Sequence, residues 1–151
     1  MSQSLSKLVV HIICHTKNNQ DIIKYDIKAE LYSYIGSIIK DNESIPIIIN
    51  GTENHIHILC VISKNISLSK LVEQIKKHSS RWIKTKDIIY NNFSWQNGYG
   101  AFSVSPTAIE NVKNYIFNQE EHHKKFIFKD EYLKLLEEHD INFNVEYLWT
   151  N

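Results

Sequence analysis

The order in which strand-like and helix-like segments follow one another constrains the fold of this 151-residue chain most strongly. Runs rich in β-branched residues predict four strands, at 5–16, 44–50, 55–63 and 99–105. Amphipathic patterns at 21–41 and 67–86 predict two helices that alternate with those strands. The resulting β-α-β-β-α-β order is that of a ferredoxin-like (RRM-like or palm-like) domain. We therefore predict an α+β fold with an antiparallel sheet.

Two more helices are predicted after the sheet, over 105–125 and 129–140. Asp21 is expected to cap the first helix of the chain, and Pro106 to start the helix over 105–125. Because the first and third strands are central neighbours in this topology, "VVHIICH" should pair with "HIHILCVI". With no linker or repeat in the sequence, we expect one domain over 1–151.

Composition narrows the class of protein. No apolar run approaches the roughly 20 residues that span a bilayer, and the N-terminus lacks signal-peptide features, so a cytoplasmic protein is expected. Cys14 and Cys60 lie in separate strand-like runs and are interpreted as reduced core residues. The formal net charge is zero, but residues 51–100 are basic and residues 101–151 acidic. Charge alone thus neither favours nor excludes a nucleic-acid partner.

His55 and His57 are two residues apart in a predicted strand. Side chains at this spacing leave the same face of a sheet, so both imidazoles could reach one metal ion. A surface pair, or a pair of hydrogen-bonded histidines, would show the same spacing. Metal binding therefore needs a third ligand.

Tyr115, Gln119 and His122 follow one another at i, i+4 and i+7 and should lie on one side of a helix. Gln119 could add an amide oxygen to the two imidazoles, giving a mixed site suited to Mg²⁺ or Mn²⁺. A tyrosine hydroxyl, with a free pKa of about 10, is a weak nucleophile unless a cation polarises its target. Tyr115 beside such a cation could attack a phosphodiester. Alternatively, Tyr115 packs at a helix edge and Gln119 is solvated.

The helix predicted over 67–86 has a basic stripe along one side. Its positive members follow helical spacing: Lys70, Lys77, Arg81 and Lys84. Such a stripe suits contacts with a DNA phosphate backbone. It is equally typical of an ordinary solvated helix face.

Four segments together resemble a known family. They are "ENHIHILCVIS", "LVEQIKKHSSRWIK", "WQNGYGAFSVS" and "VKNYIFNQEEHHKKFIFKDEYLKLLEEHDI". In this order and spacing they are similar to the single-tyrosine HUH transposases. These form the insertion-sequence-two-hundred-like (IS200-like) group, which includes the REP-associated tyrosine transposases. The likeness covers nearly the whole chain.

The resemblance implies a role for each matching residue. His55 and His57 would be the HUH metal pair, Gln119 the third ligand and Tyr115 the nucleophile. It implies a Mg²⁺- or Mn²⁺-dependent enzyme that cleaves and rejoins single-stranded DNA next to hairpins through a 5′-phosphotyrosine. It also implies a homodimer, in which the tyrosine helix can complete the partner's active site. No membrane partner is implied.

Some residues depart from this pattern or have no role in it. Asn54 stands where many relatives have Asp, and this could weaken the orientation of His55. His11, His15, His122 and His123 could brace the site, but the pattern assigns them no chemistry. Two other functions stay open: a DNA hairpin-binding protein that does not cut, and a metallohydrolase of small substrates for which Tyr115 is dispensable.

Overall fold

The computed structural model describes residues 2–150, which form one four-stranded sheet flanked by helices. The strands are β1 (Leu8–His15), β2 (Ile45–Gly51), β3 (His55–Ile62) and β4 (Gly100–Val104). They lie in the order β2-β3-β1-β4, and every pairing is antiparallel. This is the order of a ferredoxin-like sheet, so the predicted fold class and the pairing of β1 with β3 are confirmed.

Helices account for most of the remaining chain. They are α1 (Lys28–Asp41), α2 (Leu68–Lys84), α3 (Ile109–Phe117), α4 (Gln119–His123), α5 (Phe128–Glu138) and α6 (Val145–Leu148). None of the helices within residues 2–150 has the length and apolar character that a bilayer crossing requires.

The main hydrophobic core lies on one face of the sheet. Alternate residues of the two central strands point into it, including Ile12, Cys14, Ile56, Ile58 and Cys60. α1 and α2 cover this face with their apolar stripes. The two cysteines are buried and free, as the sequence predicts.

The opposite face of the same two strands is rich in histidine. In the β1–β3 register, His15 is opposite His55 and Ile13 is opposite His57. Because side chains alternate across a strand, His11, His15, His55 and His57 share this face. The C-terminal helices cover it, with Phe128, Tyr132 and Leu136 of α5 packed against Ile13 and Phe102.

Helix boundaries differ from the sequence prediction in three places. α1 begins at Lys28, after a short 3-10 turn, so Asp21 does not cap it. Pro106 opens a 3-10 turn (Pro106–Ala108) rather than the α-helix itself. The predicted helix over 105–125 is two helices, because Asn118 leaves helical geometry (φ −93°, ψ 21°) between α3 and α4.

Candidate active site

The two histidines of the His-x-His pair are fully buried at the start of β3. Each imidazole is held through its Nδ1 atom. His55 Nδ1 lies 2.8 Å from Asn54 Oδ1 and 3.0 Å from Thr52 Oγ1. His57 Nδ1 lies 2.8 Å from His11 Nε2. The two Nε2 atoms therefore point together toward the C-terminal helices, and Nε2 is an atom through which imidazole binds metals.

Asn54 does not leave His55 without a partner. Its amide oxygen contacts the imidazole directly, and Thr52 adds a hydroxyl on the same nitrogen. The orientation of His55 is thus maintained although a carboxylate is absent at position 54.

Tyr115 and Gln119, which precede and follow the break between α3 and α4, both face the histidines. Gln119 is fully buried, and its Oε1 lies 3.0 Å from His55 Nε2. The Tyr115 ring packs edge-on to His57, with their centroids 5.8 Å apart. Asn50 of β2 stabilises the break, because its Nδ2 donates to the carbonyls of Ile116 and Phe117, both at 3.0 Å.

A residue that the sequence analysis missed, Glu131 of α5, lies at the centre of this cluster and is 4% exposed. Its Oε1 lies 3.1 Å from His57 Nε2 and 3.5 Å from His55 Nε2. Its Oε2 accepts hydrogen bonds from Gln119 Nε2, at 3.0 Å, and from the Tyr115 hydroxyl. One carboxylate thus contacts every residue predicted to carry the chemistry.

Two further histidines of the "EEHH" string complete the surroundings of Glu131. His123 Nε2 lies 3.0 Å from Oε1 in a hydrogen bond. His122 Nε2 lies 3.2 Å from Oε2 but makes no hydrogen bond there. Both histidines therefore belong to the site. His15 is set back from it, packed among Phe128, Tyr132 and Trp149.

Burial and charge give these groups unusual protonation behaviour. Burial, with the neighbouring His57, holds the pKa of His55 well below its ordinary value. Burial alone would raise the pKa of Glu131, but hydrogen bonds with His123 and His57 bring it well below the usual range. Burial and the charge of Glu131 raise the pKa of Tyr115 far above that of a free phenol. At neutral pH these surroundings favour neutral His55, an ionised Glu131 and a neutral Tyr115.

Two overlapping sets of side chains could hold a metal ion. One is His55, His57 and Glu131, and the other is His122, His123 and Glu131; within each set the ligand atoms lie within 4.8 Å of one another. Gln119 Oε1 adds a further oxygen to the first set. Nitrogen and oxygen donors of this kind suit a divalent cation.

Two grooves reach the site. One, of about 700 Å³, runs along Tyr115 and His122 and has aromatic and aliphatic walls that include Phe102 and Phe126. The other, of about 520 Å³, ends at His123. Its charged lining residues balance: Lys24, Lys28 and Lys124 against Asp21, Glu53 and Glu120. Lys28 is paired with Glu120 at 3.1 Å. Each groove thus gives a substrate access to at least one side chain of the cluster: Tyr115 and His122 in the first, His123 in the second.

The basic stripe of α2 is not part of this site. Lys70, Lys77, Arg81 and Lys84 are exposed. They belong to a helix that packs on the opposite face of the sheet, against Ile56 and Ile58. The structure therefore brings Tyr115, His55, His57 and Gln119 together and leaves the four basic residues apart from them.

The fold and the family of this chain are supported by comparison with known proteins. The family model described as "Transposase IS200 like" matches residues 4–119. Among solved structures, a candidate transposase from Deinococcus radiodurans aligns with a TM-score of 0.61 and 20% identity, covering 79% of this chain and 98% of that one. A REP-associated tyrosine transposase bound to a REP hairpin aligns with a TM-score of 0.60 and 15% identity, covering 82% and 74%. A search of curated proteins found no match.

At these identities the two structures show a shared fold, one found in transposases. The family match carries the assignment further, since it spans more than half of the chain. This protein belongs to the IS200-like transposase family, as the resemblance in its sequence predicts.

Proposed function

We propose that this transposase cleaves and rejoins single-stranded DNA beside hairpins, with Tyr115 as the nucleophile and a divalent cation, Mg²⁺ or Mn²⁺, as cofactor. One observation carries the proposal. The Tyr115 hydroxyl, the Nε2 atoms of His55 and His57, and the amide of Gln119 all converge on Glu131 in a buried cluster.

The side chains fit such a cation. His55 and His57 are held through Nδ1 and present Nε2, and Gln119 presents Oε1 beside them. When bound, the cation would polarise the scissile phosphate and offset the negative charge that develops on its oxygens. The protein's part is to hold these three ligands in place and to keep Tyr115 next to them.

Tyr115 would carry out the covalent step. Its oxygen forms a bond to the phosphorus while the bond from phosphorus to the 3′ oxygen breaks. The phosphate then remains on the tyrosine at the 5′ end of one strand, and the released 3′ oxygen takes up a proton in place of the one that the phenol loses. Attack by another 3′-hydroxyl reverses the step and rejoins DNA without a nucleotide cofactor.

The two grooves support a strand of DNA as the substrate rather than a small molecule. The aromatic groove beside Tyr115 suits unpaired bases, which stack on aromatic side chains. In the second groove Lys24 would contact a backbone phosphate, whereas Lys28 is already paired with Glu120. Hairpin recognition is supported by the related fold of the transposase bound to a REP hairpin.

We further propose that one chain supplies the whole reaction centre, whether or not the protein is a homodimer. Tyr115 lies beside His57 of its own chain, with α3 fixed to β2 through Asn50. Mixing Tyr115→Phe protein with His57→Ala protein should then restore no cleavage. Recovered activity in the mixture would indicate that the tyrosine acts on the partner's site.

The first test is a denaturing gel of protein incubated with labelled single-stranded DNA that carries the hairpin flanking its own gene. A covalent protein–DNA band is expected with Mg²⁺ or Mn²⁺. It should be absent after chelation and absent for Tyr115→Phe. The variant Tyr147→Phe, which changes an exposed tyrosine of α6, is the matched control and should give the band. Tight hairpin binding without any band would instead favour a DNA-binding protein that does not cut.

A further inference from the structure

Glu131 is a buried carboxylate to which the proposed reaction gives no role. Burying a charge is costly unless it is paired. Within residues 2–150, the ionisable groups of basic residues that lie within 4 Å of its oxygens all belong to histidines: His55, His57, His122 and His123. The neighbours of this buried carboxylate are therefore groups that are themselves typical metal ligands.

The two oxygens of Glu131 have different surroundings. Oε1 faces imidazoles, at 3.5 Å from His55 Nε2, 3.1 Å from His57 Nε2 and 3.0 Å from His123 Nε2. Oε2 faces the Gln119 amide and the Tyr115 hydroxyl, and accepts a hydrogen bond from each. Oε1 thus contacts imidazoles alone, whereas Oε2 contacts the nucleophile and Gln119 and lies 3.2 Å from His122 Nε2.

The position of this carboxylate is fixed by the packing of its helix. Phe128 and Tyr132, on either side of it in α5, are each 4% exposed. The ring of Phe128 stacks on His55, with centroids 4.2 Å apart. α5 is therefore packed directly on a metal-binding histidine, and Glu131 has little freedom to leave the cluster.

We propose that Glu131 is a fourth protein ligand of the divalent cation, binding it through Oε1 while Oε2 positions the Tyr115 hydroxyl beside it. The inference rests on the proposed function and adds a residue from α5 to the His55, His57 and Gln119 set. A carboxylate contributes a negative charge that the other three ligands lack. Two imidazoles, an amide oxygen and a carboxylate also favour Mn²⁺ over Mg²⁺, because imidazole is a ligand better suited to transition metals.

The test measures coordination directly, on the full-length protein. Metal-free protein labelled with carbon-13 at its glutamate carboxyl carbons is loaded with Mn²⁺ and studied by pulsed EPR. Coupling of Mn²⁺ to both imidazole nitrogen and a carboxyl carbon is expected. The carbon coupling should be lost in Glu131→Gln and kept in Glu137→Gln, an exposed glutamate of the same helix.

Affinity provides a second readout. By calorimetry, Glu131→Gln should bind Mn²⁺ at least tenfold more weakly than wild type, and Glu137→Gln should bind as wild type does. Circular dichroism in a chelator shows whether Glu131→Gln folds. If it does not fold, the wild-type spectrum by itself still tests the inference.

The outcomes separate the two proposals. Nitrogen coupling without carbon coupling in the wild type would overturn the role of Glu131 and leave the cation site and the transesterification standing. Absence of nitrogen coupling would overturn the metal site itself, and with it this inference. Both couplings, with the carbon coupling lost in Glu131→Gln, would establish the fourth ligand.

Discussion

His11 Nε2 lies 2.8 Å from His57 Nδ1, in a buried hydrogen bond between adjacent strands of the sheet. An imidazole that binds a cation through Nε2 carries its proton on Nδ1 and must donate it to an acceptor. Burial and the nearby His57 lower the pKa of His11 to about 3, so His11 is neutral at pH 7 and can accept that proton. His11 is thus placed to orient His57 without binding the cation.

Replacing His11 should therefore weaken cation binding although no proposed ligand is removed. In His11→Phe the Nδ1 proton of His57 loses its acceptor, and Mn²⁺ affinity should fall by about 10- to 100-fold. Isothermal titration calorimetry measures the change. His78→Ala on α2, on the other face of the sheet, is the control and should bind Mn²⁺ normally. Unchanged affinity in His11→Phe would show that His57 needs no such partner.

Acid should destabilise the protein before its carboxylates are protonated. In the folded chain burial lowers the pKa of His11 to about 3 and that of His15 to about 4, whereas an unfolded histidine titrates near 6.5. As pH falls below about 6.5 the unfolded chain binds protons that the folded chain does not, so the free energy of unfolding falls. Each histidine contributes a slope of about 1.4 kcal/mol per pH unit until its folded pKa is reached.

Urea unfolding between pH 4.5 and pH 7.5 in a chelator measures this slope. His15→Phe should flatten it, because phenylalanine can occupy the aromatic pocket of Phe128, Tyr132 and Trp149 without titrating. A slope equal to that of wild type would mean that His15 is protonated in the folded state.

Asn50 should matter more for the reaction than its place on β2 suggests. In Asn50→Ala the carbonyls of Ile116 and Phe117 lose their donor, which should cost about 1–3 kcal/mol in the free energy of unfolding. It should also slow formation of the covalent adduct, because Tyr115 directly precedes Ile116 and Phe117 in α3. Asn118→Ala removes only a bond to Asn114 within α3 and should slow the adduct less. Equal rates in the two variants would argue against this role of Asn50.

The basic stripe of α2 should contribute to DNA affinity and not to the chemistry. The charge reversals Lys77→Glu and Arg81→Glu should weaken hairpin binding. The slope of log affinity against log salt concentration should also become smaller, by about one for each phosphate that the stripe no longer neutralises. Adduct formation at saturating DNA should stay at the wild-type level, since α2 lies across the sheet from Tyr115. Fluorescence anisotropy at several salt concentrations tests this, with Lys40→Glu on neighbouring α1 as the control. Undiminished affinity would indicate a solvated helix face.

Local pattern was enough to predict the sheet and its helices. Alternation of β-branched residues defines which face of β1 and β3 is buried, and this placed Ile56 and Ile58 in the core and both histidines of β3 on the other side. Helix ends were less predictable, because the break at Asn118 depends on a hydrogen-bond donor, Asn50, that comes from a distant strand.

The order of strand and helix patterns in the sequence determined the fold class, and the resemblance of four segments indicated the family and the four candidate reaction residues. Spacing within one strand or helix determined only which of those side chains share a face. Only the tertiary structure decided that Glu131 joins them. The segment "KDEYLKLLEEHD" reads as an ordinary amphipathic helix. The one feature of the sequence that marks Glu131 is that this acidic residue lies on the same side of α5 as the apolar residues Phe128 and Tyr132. Its contacts with His57 and Tyr115 exist because α5 packs across strands that lie far away in sequence.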